Sequence, residues 1–366
     1  MRKSFCTLLA ALAPLVWAGD IVVGQSAPLS GANAELGNDI RNGALAYFKK
    51  VNDAGGLPQG RLRLVTLDDR NDAAQAGENT RKLLEDDEVV ALFGYASSTL
   101  SLPAMPAVAS KRVPFFAPFT GADAIRKQND FVYTIRATYA DEIEKIVNFW
   151  GNLGSTRVSV LHYDDAVGKQ NFETVAAVLK KFQRTPVSVA IRRNAEIGEQ
   201  DVQAMIAADP QVVVITTLYA PAAQMIRRLK AAGRGYMYTS LSFAGASQLA
   251  RALGPDAAGV SVSTTVPTPR SHGLPVVREC GEAWQAAGHA GSMSVTALEA
   301  CIAAKVLVEG MRRAGKDLGR ASLQRALSAL GRYDAGGYAV DFKPGFRHGG
   351  SYVGMALLRP NGDVRD

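Results

Sequence analysis

The sequence predicts an α/β protein built on two parallel sheets. Short apolar runs such as Val89-Val90-Ala91-Leu92-Phe93 are bounded by glycine, which is typical of strands buried on both faces of a parallel sheet. Segments with helical spacing separate these runs along most of the chain, and this alternation favours βαβ units. Because 366 residues exceed the usual size of one domain, we expect two such units.

The expected elements fall into two α/β series and a helical last third. In the first series we expect strands at residues 21–24, 62–67, 89–93, 113–117 and 131–136, with helices at 40–51, from Asp72 to 84, and from 97 towards 109. In the second we expect strands at 158–161, 186–191, 212–215, 236–239 and 260–263, with helices at 141–153, 168–182, 201–207 and 220–232. The last third should contain helices at 276–287, 294–314 and 321–330 and strands at 337–342 and 352–358.

Two loops of small residues follow two consecutive strands of the first series. Ser97, Ser98 and Thr99 follow strand 89–93, and the loop at 118–122 follows strand 113–117. Serine and threonine are favoured N-cap residues, and a helix N-terminus can hold an anion such as a carboxylate. Since open α/β sheets bind ligands beyond the carboxyl ends of their strands, the two loops predict a binding site. The alternative is that the hydroxyls only cap their own helix.

The amino terminus has the pattern of a secretory signal peptide. Arg2 and Lys3 precede an apolar stretch at residues 8–16, and Val16-Trp17-Ala18 offers a cleavage site near Ala18. The apolar stretch is too short to span a bilayer. Without residues 1–18 the chain has 39 basic and 34 acidic residues. These charges are scattered and only 7% of residues are aromatic, so no nucleic-acid surface is indicated.

The cysteines, the histidines and one acidic residue each raise a separate expectation. Cys280 and Cys301 lie on consecutive predicted helices, so they form either one disulfide or two buried thiols. The four histidines are too dispersed for metal-ligand spacing, and we expect surface positions for them. Glu299 lies on an apolar helix face; a buried carboxylate needs a partner, so we expect it to pair with an arginine between the lobes or to reach a cleft.

Six sequence blocks, in the same order, resemble the type I periplasmic solute-binding proteins, the family that contains the leucine/isoleucine/valine-binding protein. The similarity covers nearly all of the chain after residue 20. The blocks are residues 24–31 with Gly37, 51–56 (VNDAGG), 68–72 (DDRND), 94–98 (GYASS), 113–118 (VPFFAP) and 162–168 (HYDDAVG).

The resemblance implies a fold with two doubly wound, Rossmann-like lobes that close on a ligand. Three crossing segments would join the lobes, near residues 137–140, 266–267 and 350–352. Lobe one would comprise residues 20–138 with 267–350, and lobe two residues 139–266 with 351–366.

The resemblance also assigns ligand-binding residues. In lobe one they are Ser98, Phe119, Thr120 and Gly121, and in lobe two they are Tyr219 and Ser242. Ser242 stands where amino-acid binders have the acid that reads the ammonium, and residues 238–244 contain no acid. Val167 and Leu36 stand where those binders have aromatic residues.

These departures shape the expected ligand. A hydroxyl cannot neutralise a cation, so we expect a small carboxylate or amide-bearing metabolite, with a branched-chain amino acid as the alternative.

The family implies a periplasmic protein that delivers this ligand to the permease subunits of an ABC importer, acts as a monomer and needs no cofactor or metal. One alternative is a ligand sensor on the same fold. Another is a secreted hydrolase using Ser98, His162 and Asp164, although no nucleophile elbow surrounds Ser98.

Overall fold

The computed structural model describes residues 19–31, 33–85, 88–127, 130–343 and 345–365. The predicted signal peptide lies outside these residues. Among the helices of the described ranges, none is long and apolar enough to cross a membrane.

The first series alternates strands and helices as expected. Its elements are β1 (Asp20–Ala27), α1 (Ala34–Asp53), β2 (Arg61–Asp68), α2 (Ala73–Glu85), β3 (Val89–Phe93), α3 (Ser97–Ser101), α4 (Met105–Lys111), β4 (Phe115–Phe116), α5 (Asp123–Arg126) and β5 (Val132–Tyr133). The Asp72 carboxylate accepts a hydrogen bond of 2.8 Å from the amide of Gln75, which confirms Asp72 as the residue that caps α2.

The second series is the longer one. Its elements are α6 (Tyr139–Asn152), β6 (Val158–Tyr163), α7 (Ala166–Leu179), β7 (Val187–Ile191), α8 (Glu199–Ala207), β8 (Val212–Thr216), α9 (Tyr219–Ala231), β9 (Met237–Ser240), α10 (Ala246–Leu253) and β10 (Val260–Thr264). A capping box begins α6, because Thr138 and Asp141 each accept a 2.9 Å hydrogen bond from the other's backbone amide.

The last third adds helices and short strands. They are α11 (Pro275–Ala286), α12 (Val295–Ala314), α13 (Arg320–Ser328), β11 (Gly331–Asp334), β12 (Ala339–Phe342), β13 (Gly354–Leu358) and β14 (Val364–Arg365). The sequence did not predict α10, β11 or β14.

Two sheets organise the molecule and confirm the predicted fold class. One has five parallel strands in the order β2-β1-β3-β4-β5. The other has seven strands in the order β14-β13-β10-β9-β8-β6-β7. In this sheet β13 pairs antiparallel with both β10 and β14, and the other neighbouring strands pair parallel. Thus the first sheet uses strands from residues 20–133, and the second uses strands from residues 158–264 and 354–365. The finer lobe boundaries stay a prediction.

A buried polar cluster lies where the first and second crossing segments were predicted. We call Arg136, Thr265, Glu299 and Tyr338 the hinge cluster. The Nε of Arg136 lies 2.6 Å from Oε1 of Glu299 and 3.2 Å from Oγ1 of Thr265. The Tyr338 hydroxyl lies 2.6 Å from the carbonyl oxygen of Ile135 and 3.1 Å from that of Thr265. Glu299 therefore pairs with an arginine, the first of its two expected options.

The third predicted crossing segment runs beside the first. The Gly349 amide donates a 2.9 Å hydrogen bond to the carbonyl of Thr134. A Cβ at Gly350 would lie 1.6 Å from the carbonyl oxygen of Ile135, so only glycine permits this approach. All three predicted crossings therefore lie against one another.

A disulfide joins Cys280 of α11 to Cys301 of α12, with Cα atoms 6.0 Å apart. In the chain-entropy model, closing a loop of this size stabilises the folded state by roughly 3 kcal/mol. The bridge therefore links α11 covalently to α12.

Candidate functional site

The two lobe-one loops meet beyond the carboxyl ends of β3 and β4. Ala96 and Phe119 form a parallel bridge. The Ser97 amide donates to the carbonyl of Phe119 at 3.3 Å, and the Phe119 amide donates to the carbonyl of Tyr95 at 2.8 Å. Since β3 and β4 are neighbours in the sheet, the sequence-based expectation that their loops come together agrees with the structure.

Strained backbone occurs at both loops. Ser97 has φ of 68° and Ala117 has φ of 49°, in the left-handed region that residues with a Cβ seldom adopt. Such conformations cost about 1–3 kcal/mol each and cluster at ligand-binding sites. Ser97 belongs to the first loop and Ala117 directly precedes the second, and six other non-glycine residues of the described ranges share this conformation elsewhere.

The helix after the first loop differs from the expectation. Its N-cap is Ala96, with no side-chain cap hydrogen bond, so the predicted capping by Ser97, Ser98 or Thr99 is wrong. The helix α3 has five residues, and a 3₁₀ turn with Pro103 separates it from α4, in which Pro106 stands near the start. Proline lacks the amide hydrogen that a continuous helix requires. So short a helix has a small dipole and offers an anion little attraction.

Thr120 and Gly121 connect this region to the start of α6. Both are buried, and the Gly121 carbonyl accepts a 3.0 Å hydrogen bond from the Tyr139 amide. A Cβ at Gly121 would lie 2.7 Å from the Tyr139 ring, so no larger residue fits. The Tyr139 hydroxyl lies beside the Thr120 side chain. The second loop therefore packs directly on the first crossing segment.

Ser242 lies beside an acid that the sequence analysis missed. Its amide donates to Oε2 of Glu142 at 2.8 Å, and its hydroxyl donates to Oε1 at 2.9 Å. The Ser263 hydroxyl donates to Oε2 at 2.5 Å. The conclusion that lobe two offers no acid at this position is therefore wrong, because α6 supplies one. Glu142 is fully buried.

Tyr139 links the loops of the two lobes. Its ring packs against that of Phe243, with centroids 4.8 Å apart, and Phe243 follows Ser242 in the chain. Phe119, Thr120, Gly121 and Ser242 thus belong to one buried region around Tyr139, and Ser98 lies in the adjoining loop at 4% exposure.

Tyr219 lies elsewhere on the lobe interface. It begins α9 and its side chain is 8% exposed. Burial first, and then the nearby charge of Glu35, raise the pKa of Tyr219 to about 12. Tyr219 therefore lies beside the start of α1, which contains Glu35. Leu36, also in α1, packs close to Gly245.

The hinge cluster packs against Phe119. The Arg136 guanidinium lies over the Phe119 ring, 4.1 Å from its centroid. Burial alone would lower the pKa of Arg136, but the charges of Glu299 and Glu142 raise it above its usual value. Burial also raises the pKa of Glu299 against the lowering effect of Arg136. The two-pronged contact, at 2.6 Å and 3.1 Å, favours the ionised pair.

The side chains proposed for a hydrolase are not arranged for catalysis. His162 is 3% exposed, so its expected surface position is wrong. Its Nε2 lies 2.8 Å from the Ser188 hydroxyl and its Nδ1 lies 2.9 Å from the carbonyl of Tyr163. Asp164 pairs with Lys169 at 2.9 Å. Both ring nitrogens of His162 are thus engaged away from Ser98.

A comparison with known proteins places this geometry among relatives. The model of the family described as "Periplasmic binding protein" matches residues 20–362. The Leu/Ile/Val-binding protein homolog 1 of Brucella suis biovar 1 (strain 1330) is 25% identical over 283 residues, which cover 74% of this chain and 75% of that protein.

Two solved structures resemble the whole chain. A possible leucine/isoleucine/valine-binding protein from Rhodopirellula baltica SH 1 has a TM-score of 0.91 at 29% identity, covering 96% of this chain and 97% of that one. A substrate-binding periplasmic protein from Ralstonia solanacearum has a TM-score of 0.88 at 33% identity, covering 94% of this chain and 99% of that one. Both are described as binding proteins, the first of them as a possible one.

Proposed function

The chain belongs to the periplasmic binding protein family, and from that premise we propose that it captures a small amino acid between its lobes and delivers it to an ABC importer. A small carboxylate or amide is the second candidate ligand, favoured by the hydroxyls of Ser98 and Thr120 and the amides of their loops. Export to the periplasm and action as a monomer are part of the proposal.

The contact between Glu142 and Ser242 is the observation that carries the proposal. Because the Ser242 hydroxyl donates its hydrogen to Glu142, its lone pairs are free to accept a hydrogen bond from a ligand. The carboxylate polarises that hydroxyl, so the pair suits a cationic donor such as an ammonium group. Lobe one supplies donors for a carboxylate. Together the two sides match the two charged ends of an amino acid.

Charge balance supports an ammonium-bearing ligand. Near Ser242 the buried charges are the carboxylates of Glu142 and Glu299 and the guanidinium of Arg136. Arg126 lies close by, but Asp123 and Asp141 offset its charge. One buried carboxylate therefore lacks a full countercharge, which is costly in a site of low dielectric constant. A ligand cation would restore neutrality.

Calorimetry on protein refolded to remove any carried ligand tests the proposal. Leucine, isoleucine and valine are compared with 3-methylbutanoate, which lacks the ammonium group. We expect the amino acids to bind roughly 30- to 5,000-fold more tightly, which corresponds to the loss of about 2–5 kcal/mol when one partner of a buried charge pair is missing. Equal affinity for both kinds of ligand would favour the simple carboxylate instead.

Two variants locate the site. Glu142→Gln keeps the shape but removes the charge, so it should weaken amino-acid binding and leave 3-methylbutanoate binding nearly unchanged. Glu173→Gln makes the same change at an exposed position of α7 and serves as the control. Ser98→Ala should weaken both ligands. If both ligands keep their affinity in Ser98→Ala, the site has been misplaced.

Delivery to an importer requires a separate measurement. We expect genes for permease and ATPase subunits beside the gene of this protein. Ligand-loaded protein should stimulate ATP hydrolysis by that transporter in proteoliposomes. If neither the ligand-loaded nor the empty protein stimulates ATP hydrolysis, the result would contradict the transport role and favour a sensor.

A further inference from the structure

A cavity of ≈ 340 Å³ lies between the lobes, directly beside the proposed ligand loops. Leu102, Gly121 and Ala122 line it from lobe one, and Tyr139, Val167 and Asn171 line it from the other side. Its volume falls at the lower end of the range for small-molecule sites. Gly121 and Tyr139 border both the cavity and the region of the predicted site residues, so the two regions adjoin.

The walls of the cavity are mostly apolar. The side chains of Leu102, Ala122 and Val167 present only carbon atoms, and a charged pair, Lys127 with Asp123 at 3.4 Å, lies among the lining residues. Such a wall favours an apolar ligand body, since each buried methylene group raises affinity by about fourfold.

One buried polar atom among the lining residues, Nδ2 of Asn171, has no hydrogen-bond partner in the described part of the chain. The Asn171 side chain is 3% exposed. Buried donors are nearly always paired, so an unpartnered amide nitrogen at an interlobe cavity points to a ligand acceptor.

We propose that the ligand is longer than a branched-chain amino acid: its carboxylate binds at Ser98 and Thr120, and an aryl-sized apolar body extends past Gly121 into this cavity. There an oxygen atom on the body accepts a hydrogen bond from Nδ2 of Asn171. The inference rests on the proposed function, because it assumes that the lobe-one loops hold the carboxylate.

Six probes in two matched series test the inference by calorimetry. The amino acids are valine, phenylalanine and tyrosine; the carboxylates with the same carbon skeletons but no ammonium group are 3-methylbutanoate, 3-phenylpropanoate and 3-(4-hydroxyphenyl)propanoate. We expect the aryl probes to bind more tightly than the short ones in at least one series, and the hydroxyl-bearing probe to bind most tightly. Differences between the series report on the ammonium group, and differences within a series report on the cavity.

Val167→Phe fills the cavity from α7. It should weaken the aryl probes at least about tenfold, corresponding to about 1.4 kcal/mol, and leave the short probes unchanged. Val187→Phe makes the same change on an exposed part of β7 and should alter neither. Val167→Leu, a smaller change, should give an intermediate loss and serves if the phenylalanine variant does not fold.

Asn171→Leu tests the hydrogen bond. It should bring the affinity ratio of the hydroxyl-bearing probe to its phenyl analogue close to one, while the short probes bind as before. A ratio that stays unchanged overturns the role of Asn171.

The outcomes separate this inference from the proposed function. If the short probes bind and the aryl probes do not, the inference falls and the proposed function stands. If Val167→Phe weakens short and aryl probes equally, the cavity is an entrance and the inference falls as well. If none of the six probes binds to the wild-type protein, both fall.

Discussion

Two of the polar contacts between the lobes differ in their exposure to water. In the hinge cluster the side chains of Arg136 and Glu299 are 2% and 5% exposed. The second contact, which we call the rim contact, joins Glu35 and Asp39 of α1 to Gln248 and Arg251 of α10. There the Arg251 and Glu35 side chains are 42% and 40% exposed.

This difference in burial assigns the two contacts different roles. Water competes for each partner of an exposed pair, so such pairs contribute only about 0.2–1 kcal/mol and can form and break at little cost. A buried charge without its partner is costly, so a buried pair stays formed. We therefore expect the hinge cluster to keep the crossing segments together through every conformation, and the rim contact to form as the lobes close.

The largest expected effect comes from removing one charge of the hinge cluster. Arg136→Met leaves Glu299 buried without its cation, and we expect the free energy of unfolding to fall by about 3–5 kcal/mol. Chemical denaturation followed by circular dichroism measures the loss. A loss below about 1 kcal/mol would place this pair in the same energetic class as the rim contact.

A second variant separates the pair's net contribution from the penalty of an unpaired charge. In Arg136→Met/Glu299→Leu both charges are replaced by apolar side chains of comparable length. Since such replacements are often neutral, we expect the double variant to recover about 2 kcal/mol or more relative to Arg136→Met. If the two losses are equal, the hydrogen bonds that Thr265 accepts from Arg136 and donates to Glu299 matter more than the charge.

The hinge cluster shows how far sequence reasoning could reach. Glu299 stood out because it interrupts an apolar helix face, and that signal correctly predicted a buried carboxylate with an arginine partner. Glu142 carries the same signal, because Tyr139, Ile143 and Ile146 are buried on its face of α6. The same signal therefore predicts a buried acid at Glu142, outside the segment around Ser242. The partners of Glu142 could not be predicted, because Ser242 and Ser263 lie 100 and 121 residues further along the chain.

The rim contact was only partly within reach of the same reasoning. The helix α10 has buried apolar residues at positions 246, 249, 250 and 253, which is the spacing of an amphipathic helix, so hydrophobic periodicity could have found it. Periodicity could not show that its buried Ser247 and Gln248 are satisfied by α12: the Val295 amide donates to Ser247 at 3.2 Å, and the Thr296 hydroxyl donates to Gln248 at 3.1 Å.

A smaller effect is expected at the rim contact. Arg251→Ala removes the ion pairs with Glu35 and Asp39, and we expect ligand affinity to fall by about 0.2–1 kcal/mol because only the closed state loses a contact. The loss should shrink in high salt, which screens exposed charges. Calorimetry at two salt concentrations checks this. A large loss that does not depend on salt would mean that the rim contact behaves like the hinge cluster.

The smallest expected effect is a pH dependence of closure that comes from Asp39. Burial raises the pKa of this carboxyl above its usual value, and the hydrogen bond with Ser294 and the charges of Arg251 and His289 offset only part of the shift. Because the pKa of Asp39 is raised in the closed state, protonation of this carboxyl stabilises that state. The stabilisation is complete below the ordinary pKa of 3.8 and is lost as pH rises through the raised pKa. Ligand affinity should therefore increase as pH is lowered through that window, as long as the ligand keeps its charge. Asp39→Asn keeps an oxygen that can accept a hydrogen bond from Gln248, but this side chain does not titrate, so the ligand affinity of the variant should vary less with pH.

His289→Asn serves as the control for the imidazole. If the Asp39 variant follows the wild-type profile and the His289 variant does not, the histidine is the source of the pH dependence.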